Sequence, residues 1–526
     1  MTNSYSSSIP TGVTIMIACS ITTVASYYIA ARESERKVLL EKKKAYEREL
    51  LIKEKTIAAR DLTGEPHGQL ISDLTIDRVY LWEIEDLKKI FSPSNVKNVM
   101  KNIPSSNNNP YFFPSLSESP SSIIDKDVAK ATDYNKLITN HECVLGEIVR
   151  KPNQPTHTRA YVRAGPRREL HFDPVNVNAA IVTCGGLCPG LNNVVREIVN
   201  TLCSAYGISG KVWGIQGGFR GFWDFEHYRP VPLTPELVAN IHHEGGTVLG
   251  SSRGGFDLEK ILQFLISKKI TCLFVIGGDG THRGAFLAGI PKTIDNDVDY
   301  IDRSFGFESS VEAAQAAIRS AKTEAICNMP NGVGIVKLMG RSAGFIAAHA
   351  TMASGDVDLC LVPEVPIVLK GEQGCLPHIM RRVKDQGYAV IVVAEGAGED
   401  VLGVSAETDA SGNKNLPPIG NFMKSQVEEF FKEHGNVATV KYIDPSYTVR
   451  SVPANASDSL YCMQLGQNAV HGAMAGFTGF SVGLCNNRMV FLPIPELVST
   501  SPRSMNPHGR TWERILALTR QPNTVE

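Results

Sequence analysis

From about residue 178 onward, the chain repeats one pattern: short runs of β-branched and aliphatic residues end in glycine, and segments with helical spacing follow them. Examples of the apolar runs are AAIVTCGG at 179–186, TCLFVIGG at 271–278, GVGIVKLMG at 332–340 and YAVIVVAEG at 388–396. Apolar strands that alternate with helices predict a parallel sheet covered by helices. The glycine-bearing loops follow the carboxyl ends of these strands, where open α/β sheets bind their ligands. The pattern therefore also predicts the sheet edge at which a site lies.

Two short stretches, one rich in glycine and one with paired aspartates, lie close together in this part of the chain. GGDGT at 277–281 follows the run CLFVI, and nine residues separate it from PKTIDND at 291–297. The glycines of the first stretch let backbone N–H groups approach the phosphates of a nucleotide, and Asp279 can hold a metal ion. The spacing of Asp295 and Asp297 lets one carboxylate accept a hydroxyl proton while the other faces Mg²⁺. Together, the two stretches predict a phosphoryl-transfer site.

The composition excludes some classes of function. The chain has 526 residues, and its 53 basic and 54 acidic side chains give a formal net charge of -1. This balance offers no general attraction to nucleic acid or to an anionic surface, so we expect phosphate binding to be local and no nucleic-acid partner. The eleven cysteines form neither a disulfide framework nor paired zinc motifs, which favours a reducing compartment.

The N-terminal part differs from the rest of the chain. Residues 12–31 are uncharged and about long enough to cross a bilayer, and basic residues follow them, which predicts a membrane anchor with the bulk of the protein in the cytoplasm. A cleaved targeting peptide, for example to a plastid, and a helix that does not span are the alternatives. Residues 34–62 predict a charged, solvated helix, and a short coiled coil is the alternative. Residues 92–125 are rich in Ser, Asn and Pro and predict a linker.

Seven separated motifs, in order along the chain, resemble those of one known family. They are TCGGLCPGLNNVVR (183–196), GGTVLGSSRG (245–254), GGDGT, PKTIDND, VKLMGRSAGFIAA (336–348), AEG (394–396) and KYIDPSYTVR (441–450). From about residue 145 to the C-terminus, the chain is similar to the phosphofructokinases, specifically the ATP-dependent enzymes of the plant and kinetoplastid type, which are related to pyrophosphate-dependent ones.

This resemblance implies a fold and an activity. The fold is α/β, with two Rossmann-like three-layer domains, parallel-rich sheets and an N-terminal extension. The implied boundaries are 1–33 for an anchor or targeting segment, 34–176 for the extension, 177–308 for an ATP-binding domain completed by about 450–526, and 309–449 for a fructose 6-phosphate-binding domain. The implied reaction is phosphorylation of fructose 6-phosphate at the C1 hydroxyl by ATP with Mg²⁺, in a homotetramer or homodimer.

The resemblance also implies roles for single residues. The implied ATP-binding residues are Gly185, Arg253, Gly254, Gly280, Thr281 and Gly284. Asp279 would bind Mg²⁺ with Asp297, Asp295 would be the general base, and Thr293 would orient the transferred phosphoryl group. Residues that would contact the sugar or the reacting phosphate are Met339, Gly340, Arg341 and Glu395, and those that would hold the sugar's 6-phosphate are Lys441, Tyr447 and Arg450, with Lys441 acting across a subunit boundary.

Two positions bear on the phosphoryl donor. The resemblance implies that Gly280 leaves room for the α-phosphate of ATP. The pyrophosphate-dependent enzymes carry an aspartate at this position, which would repel that phosphate. Lys292 is the residue type of pyrophosphate users, but the plant-type ATP enzymes share the combination of this glycine and this lysine. We expect ATP as the donor, and pyrophosphate is the alternative.

The chain departs from the family between GGDGT and PKTIDND. Family members have a helix and a further strand there, whereas this sequence has only HRGAFLAGI at 282–290. A crossover between parallel strands usually needs a dozen or more residues, so we expect that the sheet loses a strand or that Asp279 and Asp295 are out of register. The alternatives are a sequence that lacks a short segment, a splice form, and a non-catalytic regulatory or scaffold subunit.

Overall fold

The computed structural model describes residues 74–79, 81–83, 101–102, 137–139, 142–149, 156–167, 169–278, 281, 288–403 and 416–525. The chain separates into two units: Met1–Ile76, Ile84–Lys97 and Val149–Thr158 form one, and Asp77–Glu83, Asn98–Ile148 and Arg159–Glu526 form the other. The first unit is described only at 74–76, 149 and 156–158. The predictions for 1–33, and for most of 34–176, therefore lie outside the described residues.

The strands and helices follow the alternation that the sequence predicts. The strands, in chain order, are β1 (Leu74–Arg78), β2 (Trp82–Glu83), β3 (Lys101–Asn102), β4 (Cys143–Leu145), β5 (Thr156–Arg163), β6 (Glu169–Leu170), β7 (Ala179–Thr183), β8 (Val212–Ile215), β9 (Val231–Leu233), β10 (Cys272–Gly277), β11 (Ala288–Pro291), β12 (Gly332–Leu338), β13 (Leu359–Leu361), β14 (Tyr388–Ala394), β15 (Thr439–Ile443), β16 (Phe477–Thr478), β17 (Phe480–Cys485) and β18 (Arg488–Pro493). The α-helices are α1 (Leu191–Asn200), α2 (Pro235–Val238), α3 (Leu258–Ser267), α4 (Phe307–Cys327), α5 (Phe345–Ser354), α6 (Cys375–Gln386), α7 (Glu399–Leu402), α8 (Ile419–Glu433), α9 (Ser446–Ser451), α10 (Ala456–Met474), α11 (Ile494–Thr500) and α12 (Arg510–Thr519).

The larger sheet has a parallel centre and antiparallel edges. Its order is β1-β5-β18-β17-β11-β10-β7-β8-β9, with β4 paired to β5. The strands β17, β11, β10, β7 and β8 are parallel to one another, whereas β9 runs antiparallel to β8 and β18 runs antiparallel to β17. Every residue of β7 and of β10 is buried, because helices cover both faces of the parallel centre.

The smaller sheet contains β13-β14-β12-β15, and all of its pairs are parallel. One face packs on α6 and α8, where Ile335 and Ile391 join a core with Ile379 and Val427. The other face belongs to the largest hydrophobic cluster, which also contains Ile276 of β10. The predicted α/β class with parallel-rich sheets is thus confirmed. Residues 177–308 and 309–449 both lie in the second unit, so those two domain limits stay predictions.

The short connection between GGDGT and PKTIDND does not remove a strand from the larger sheet. β11 pairs in parallel with β10 from Phe274↔Ala288 to Gly277↔Pro291, and its other edge pairs with β17. The expectation that the sheet loses a strand is therefore wrong, because AGIP at 288–291 supplies the strand although it has no strand-like pattern. Ten residues, 278–287, link β10 to β11, and only 278 and 281 among them are described.

In the described part of the chain, no helix is long and apolar enough to cross a membrane. The predicted anchor at 12–31 lies outside the described residues.

The position of β11 in the sheet can be tested through the buried side chain of Ile290. Ile290 is fully buried in the largest hydrophobic cluster, so Ile290→Ala is expected to lower the free energy of unfolding by about 2–5 kcal/mol, because it leaves a cavity in that cluster. Chemical unfolding measures this change. The matched control is Ile266→Ala on α3, whose side chain is 76% exposed, and it should change the stability by less than about 0.5 kcal/mol. Equal effects of the two substitutions would contradict the placement of β11.

Candidate active site

The site lies where strands of both sheets end. β7, β10 and β11 are parallel neighbours in the larger sheet, so the loops that follow them leave the same edge. In the smaller sheet, β12 and β14 also end together, at the pair Leu338↔Ala394. The main-chain N–H of Arg341, after β12, hydrogen-bonds the carboxylate of Asp295, after β11. The two sets of loops therefore meet.

On the side that is predicted to bind the nucleotide, the loop after β7 lies against residues 251–254. The Gly185 N–H donates to the Ser252 carbonyl oxygen at 3.0 Å, and the Ser251 hydroxyl donates to the Gly185 carbonyl oxygen at 2.7 Å. Gly185 has a φ of 86°, a conformation that favours glycine. Arg253 and Gly254 follow on an exposed turn. The structure thus brings three of the predicted nucleotide residues together.

Lys292 lies beneath this loop. Its side chain is only 7% exposed, and its ammonium lies 3.3 Å from the position that a Cβ at Gly185 would take. Its N–H donates to the Gly277 carbonyl oxygen at 2.9 Å, which extends the pairing of β10 and β11 by one residue. Burial lowers the pKa of Lys292, and the nearby Arg253 lowers it further. The lysine that was predicted to bind substrate therefore supplies a buried ammonium next to the loop that carries Gly185.

Three predicted residues, Asp279, Gly280 and Gly284, lie outside the described residues. Thr281 is described, and its N–H donates to the Gly278 carbonyl oxygen at 2.9 Å. A Cβ at position 277 would come within 2.5 Å of the Thr281 side chain. This close approach requires glycine at 277.

The two acids of PKTIDND lie on one loop after β11. The Thr293 hydroxyl donates to Asp297 Oδ1 at 2.6 Å and accepts from the Asp295 N–H at 3.3 Å. Asn296, between the acids, has a left-handed φ of 58°, and its Oδ1 accepts from the Ser304 N–H at 2.8 Å. These contacts hold the backbone that carries both carboxylates.

Asp295 has the most strongly shifted pKa among the acids of the site. Its Oδ1 is buried and has no hydrogen-bond partner among the described residues. Burial, with the neighbouring carboxylates of Asp297 and Glu395, raises the pKa of Asp295 from 3.8 to about 8, against the opposing effects of the Arg341 N–H and the Lys292 ammonium. A buried carboxylate oxygen that lacks a hydrogen-bond partner, on an acid whose pKa lies near neutrality, is suited to exchange a proton with a bound ligand.

On the opposite side, Glu395 follows β14 and accepts a hydrogen bond from the Gly340 N–H. Burial raises the pKa of Glu395, whereas Lys337 and Arg341 favour its ionised form. Lys337 Nζ also contacts Asp444 Oδ2 at 2.7 Å. The motif residues Gly340, Arg341 and Glu395 thus lie together, and their roles toward the sugar stay predictions.

Lys337 and Asp444 are site residues that the sequence-based prediction missed. Lys337 is the one charged residue in the apolar run GVGIVKLMG, and this signal could have identified it. Asp444 follows β15 directly, but its partner on a neighbouring strand is not visible from the sequence. Met339, which was predicted to contact the sugar, is partly buried and packs against the largest hydrophobic cluster.

The predicted phosphate-binding residues are only partly brought together. The Arg450 guanidinium lies over the ring of Tyr447, 4.8 Å from its centre, on α9. The Arg450 Nε is buried and has no partner among the described residues, whereas the Tyr447 side chain is 74% exposed. Lys441 is exposed on β15, in register with Gly334. The joint role of these residues stays a prediction.

The acids fit a magnesium ion only in part. Within the described ranges, no three His, Cys, Asp or Glu side chains form a metal-binding group. Asp297 is partly buried, and burial raises its pKa, with the Thr293 hydrogen bond opposing this rise. Mg²⁺ commonly uses one or two carboxylates together with water and substrate phosphates, so one or two acids suffice. The pairing of Asp297 with Asp279 stays a prediction.

The chain is similar to known proteins over most of its length. A family model described as phosphofructokinase matches residues 178–473. The ATP-dependent 6-phosphofructokinase 7 of Arabidopsis thaliana is 48% identical over 378 residues, which cover 69% of this chain and 77% of that protein. The chloroplastic ATP-dependent 6-phosphofructokinase 5 of the same plant is 48% identical over 377 residues, or 69% of each chain.

A solved phosphofructokinase from Saccharomyces cerevisiae has a similar structure. The match has a TM-score of 0.52 and 23% identity, and it covers 65% of this chain. The chain spans half the length of that yeast protein, and the likeness concerns the fold alone.

The raised pKa of Asp295 makes a prediction about stability. Because the folded state favours the protonated carboxyl, ionised Asp295 opposes folding, and this penalty grows as the pH rises from about 4 to about 8. Asp295→Asn is therefore expected to raise the unfolding midpoint more at about pH 9 than at about pH 5 in urea unfolding. Asp385→Asn, at an exposed position, is the control. The same shift at both pH values would contradict the raised pKa.

Proposed function

The chain belongs to the phosphofructokinase family, and from this membership we propose that it transfers the terminal phosphoryl group of ATP to the C1 hydroxyl of fructose 6-phosphate. The product is fructose 1,6-bisphosphate, so the enzyme is a phosphotransferase of glycolysis. The names of the relatives, ATP-dependent 6-phosphofructokinases at 48% identity, support the substrate and the donor.

The observation that carries the proposal is the Asp295 carboxylate, with its buried Oδ1 that lacks a partner and its pKa of about 8. In the proposed step, Asp295 accepts the proton of the C1 hydroxyl as the C1 oxygen forms its bond to the γ-phosphorus. The bond from that phosphorus to the β,γ-bridging oxygen breaks, and ADP leaves with the electron pair. A base with a pKa near the working pH both accepts the proton readily and is partly ionised.

The loops on the nucleotide side are assigned to ATP. Gly185 lies on one loop, and Arg253 and Gly254 lie on the segment that it hydrogen-bonds; the two glycines and the one cation suit close approach of phosphates. The remaining proposed ATP residues are Gly280, Thr281 and Gly284. The buried Lys292 ammonium would offset phosphate charge. By the family resemblance, the glycine at 280 would leave space for the α-phosphate. The relatives' names favour ATP over pyrophosphate.

A magnesium ion is part of the proposal. Asp297 and Asp279 would hold it, and when bound it would neutralise phosphate charge. Thr293 would orient the transferred group and Arg341 would neutralise its charge. The hydrogen bonds of Thr293 with Asp297 and Asp295, and the contact of the Arg341 N–H with Asp295, support this proposal.

The sugar is assigned to the loops of the smaller sheet. Glu395, held by the Gly340 N–H, would accept hydrogen bonds from sugar hydroxyls beside Met339. Arg450 and Tyr447 would bind the 6-phosphate with Lys441, and the partnerless Arg450 Nε supports this assignment.

We further propose a homotetramer or homodimer, built from a nucleotide domain at 177–308 with 450–526 and a sugar domain at 309–449. The cytoplasm is the proposed location, and a plastid is the alternative that the name of a chloroplastic relative supports. Membrane anchoring through 12–31 stays a prediction.

The role of Asp295 predicts the result of one substitution. Asp295→Asn is expected to lower kcat by roughly 10²- to 10⁴-fold, because the amide cannot accept the hydroxyl proton. A coupled assay of the full chain with Mg²⁺, fructose 6-phosphate and either ATP or pyrophosphate measures the rate. The exposed Asp385→Asn variant should retain full activity. Retained activity in Asp295→Asn would refute the assigned base, and a faster rate with pyrophosphate would refute the donor.

The proposed phosphate contact predicts a different kinetic effect. Arg450→Met is expected to raise the KM for fructose 6-phosphate roughly tenfold to hundredfold, because one charge-assisted hydrogen bond is lost. The KM for ATP should stay within about twofold. Arg510→Met is the control, because Arg510 is exposed and pairs only with Glu513 in the described contacts. An unchanged KM for the sugar phosphate would exclude Arg450 from its site.

A further inference from the structure

A C-terminal segment, Ser501–Met505, runs between α11 and α12 and contacts both halves of the site. It lies outside all seven sequence motifs. For clarity, we call it the clasp. Its contacts reach two loops: the acidic loop, 293–299 after β11 of the larger sheet, and the arginine loop, 339–344 after β12 of the smaller sheet.

The first half of the clasp holds the acidic loop. The Ser501 hydroxyl accepts a hydrogen bond from the Asp299 N–H at 3.1 Å. The Arg503 N–H donates to the carbonyl oxygen of Asp297 at 2.7 Å, and Arg503 Nε donates to that of Asn296 at 3.2 Å. Arg503 thus holds two consecutive carbonyl groups in the stretch that carries Asp295 and Asp297.

The second half of the clasp holds the arginine loop. The Ser504 hydroxyl donates to the carbonyl oxygen of Ser342 at 3.2 Å. The Met505 N–H donates to Glu364 Oε1 at 2.8 Å, and the same carboxylate accepts the Gly344 N–H at 2.9 Å. The clasp therefore reaches this loop both directly and through Glu364.

The Arg503 side chain also connects the acidic loop to the start of α5, which follows the arginine loop directly. Its guanidinium lies 5.4 Å from the centre of the Phe345 ring, at the start of α5, while its backbone and Nε are bound to the acidic loop. The carboxylates of Asp297 and Asp299 attract the same guanidinium. One side chain is thus in contact with elements that follow β11 and β12.

The positions of these loops matter because the reacting groups lie on different sheets. The base, Asp295, belongs to the acidic loop, whereas Arg341 belongs to the arginine loop. Misplacement of reacting groups by about 1 Å can cost a hundredfold in rate. An element that binds both loops, yet holds no group assigned to a substrate, is suited to set their separation.

We propose that the clasp fixes the separation of the acidic and arginine loops, with Arg503 as its positioning residue. This inference rests on the proposed phosphoryl transfer, because it explains how the two halves of that site are kept in register. Arg503 acts through Asn296, Asp297 and Phe345, so its removal should impair the chemical step more than the binding of either substrate.

The test uses the full chain with Arg503→Met, and Arg510→Met as the matched control. For Arg503→Met, kcat is expected to fall roughly tenfold to hundredfold, while the KM for fructose 6-phosphate and the KM for ATP each change less than about threefold. Arg510→Met should match the unaltered chain. An unchanged kcat, or a loss seen only in KM, would overturn the role of Arg503.

Hydrogen–deuterium exchange provides a readout that does not depend on activity. In Arg503→Met, the amides of 293–305 and of 338–346 are expected to exchange about fivefold faster, because both loops lose a restraint. Ser504→Ala, which removes one exposed hydroxyl and should not disturb folding, is expected to accelerate exchange only in 338–346. Unchanged exchange in both segments would overturn the clasp.

The two readouts separate the two proposals. If the unaltered chain does not phosphorylate fructose 6-phosphate, the proposed function fails, and the exchange rates still decide whether the clasp connects the loops. If the unaltered chain is active and exchange is unaffected in both variants, the function stands and the clasp is wrong.

Discussion

The parallel pairing of β10 with β11 is the constraint on which the site depends. In this register Gly277 lies opposite Pro291, and the Lys292 N–H then binds the Gly277 carbonyl oxygen. The glycine-rich stretch and the acidic stretch therefore leave the sheet side by side, although only ten residues connect the strands. A shift by one residue would turn every side chain of β11 to the opposite face and move buried Lys292 away from Gly185. The same register places the acidic loop within reach of the smaller sheet.

The second feature is the concentration of charge where the two sheets meet. Asp295, Asp297 and Glu395 have raised pKa values, chiefly through burial, and Lys292 has a lowered one. Buried ionisable groups with shifted pKa values lower the stability of the folded chain, and they cluster at sites that bind a ligand or move a proton. Backbone N–H groups of Arg341 and Gly340 offset part of the cost by donating to Asp295 and Glu395. The site therefore depends on loops whose main chains are held firmly.

The sequence predicted the features that depend on the local pattern of apolar residues and on the motifs. The buried strands β7 and β10 follow from their apolar runs. Gly185, Arg253, Gly340 and Glu395 were named from the family resemblance, and the structure brings Gly185 near Arg253 and Gly340 near Glu395. The sequence-based prediction failed at β11, because AGIP has neither alternation nor β-branched enrichment, and its neighbours β10 and β17 make it a strand. It could not find Arg503, since about 200 residues separate it from Asn296 and only the fold brings them together. The glycine and aspartate at 279–280 lie outside the described residues, so sequence alone supports their roles.

The most direct measurement of the central claim is a crystal structure of the full chain with fructose 6-phosphate and a non-hydrolysable ATP analogue. The account predicts that the C1 hydroxyl lies about 2.6–3.2 Å from the Asp295 carboxylate, between the acidic and arginine loops. A sugar phosphate bound elsewhere, or a C1 hydroxyl beyond reach of Asp295 while both ligands are in place, would contradict it.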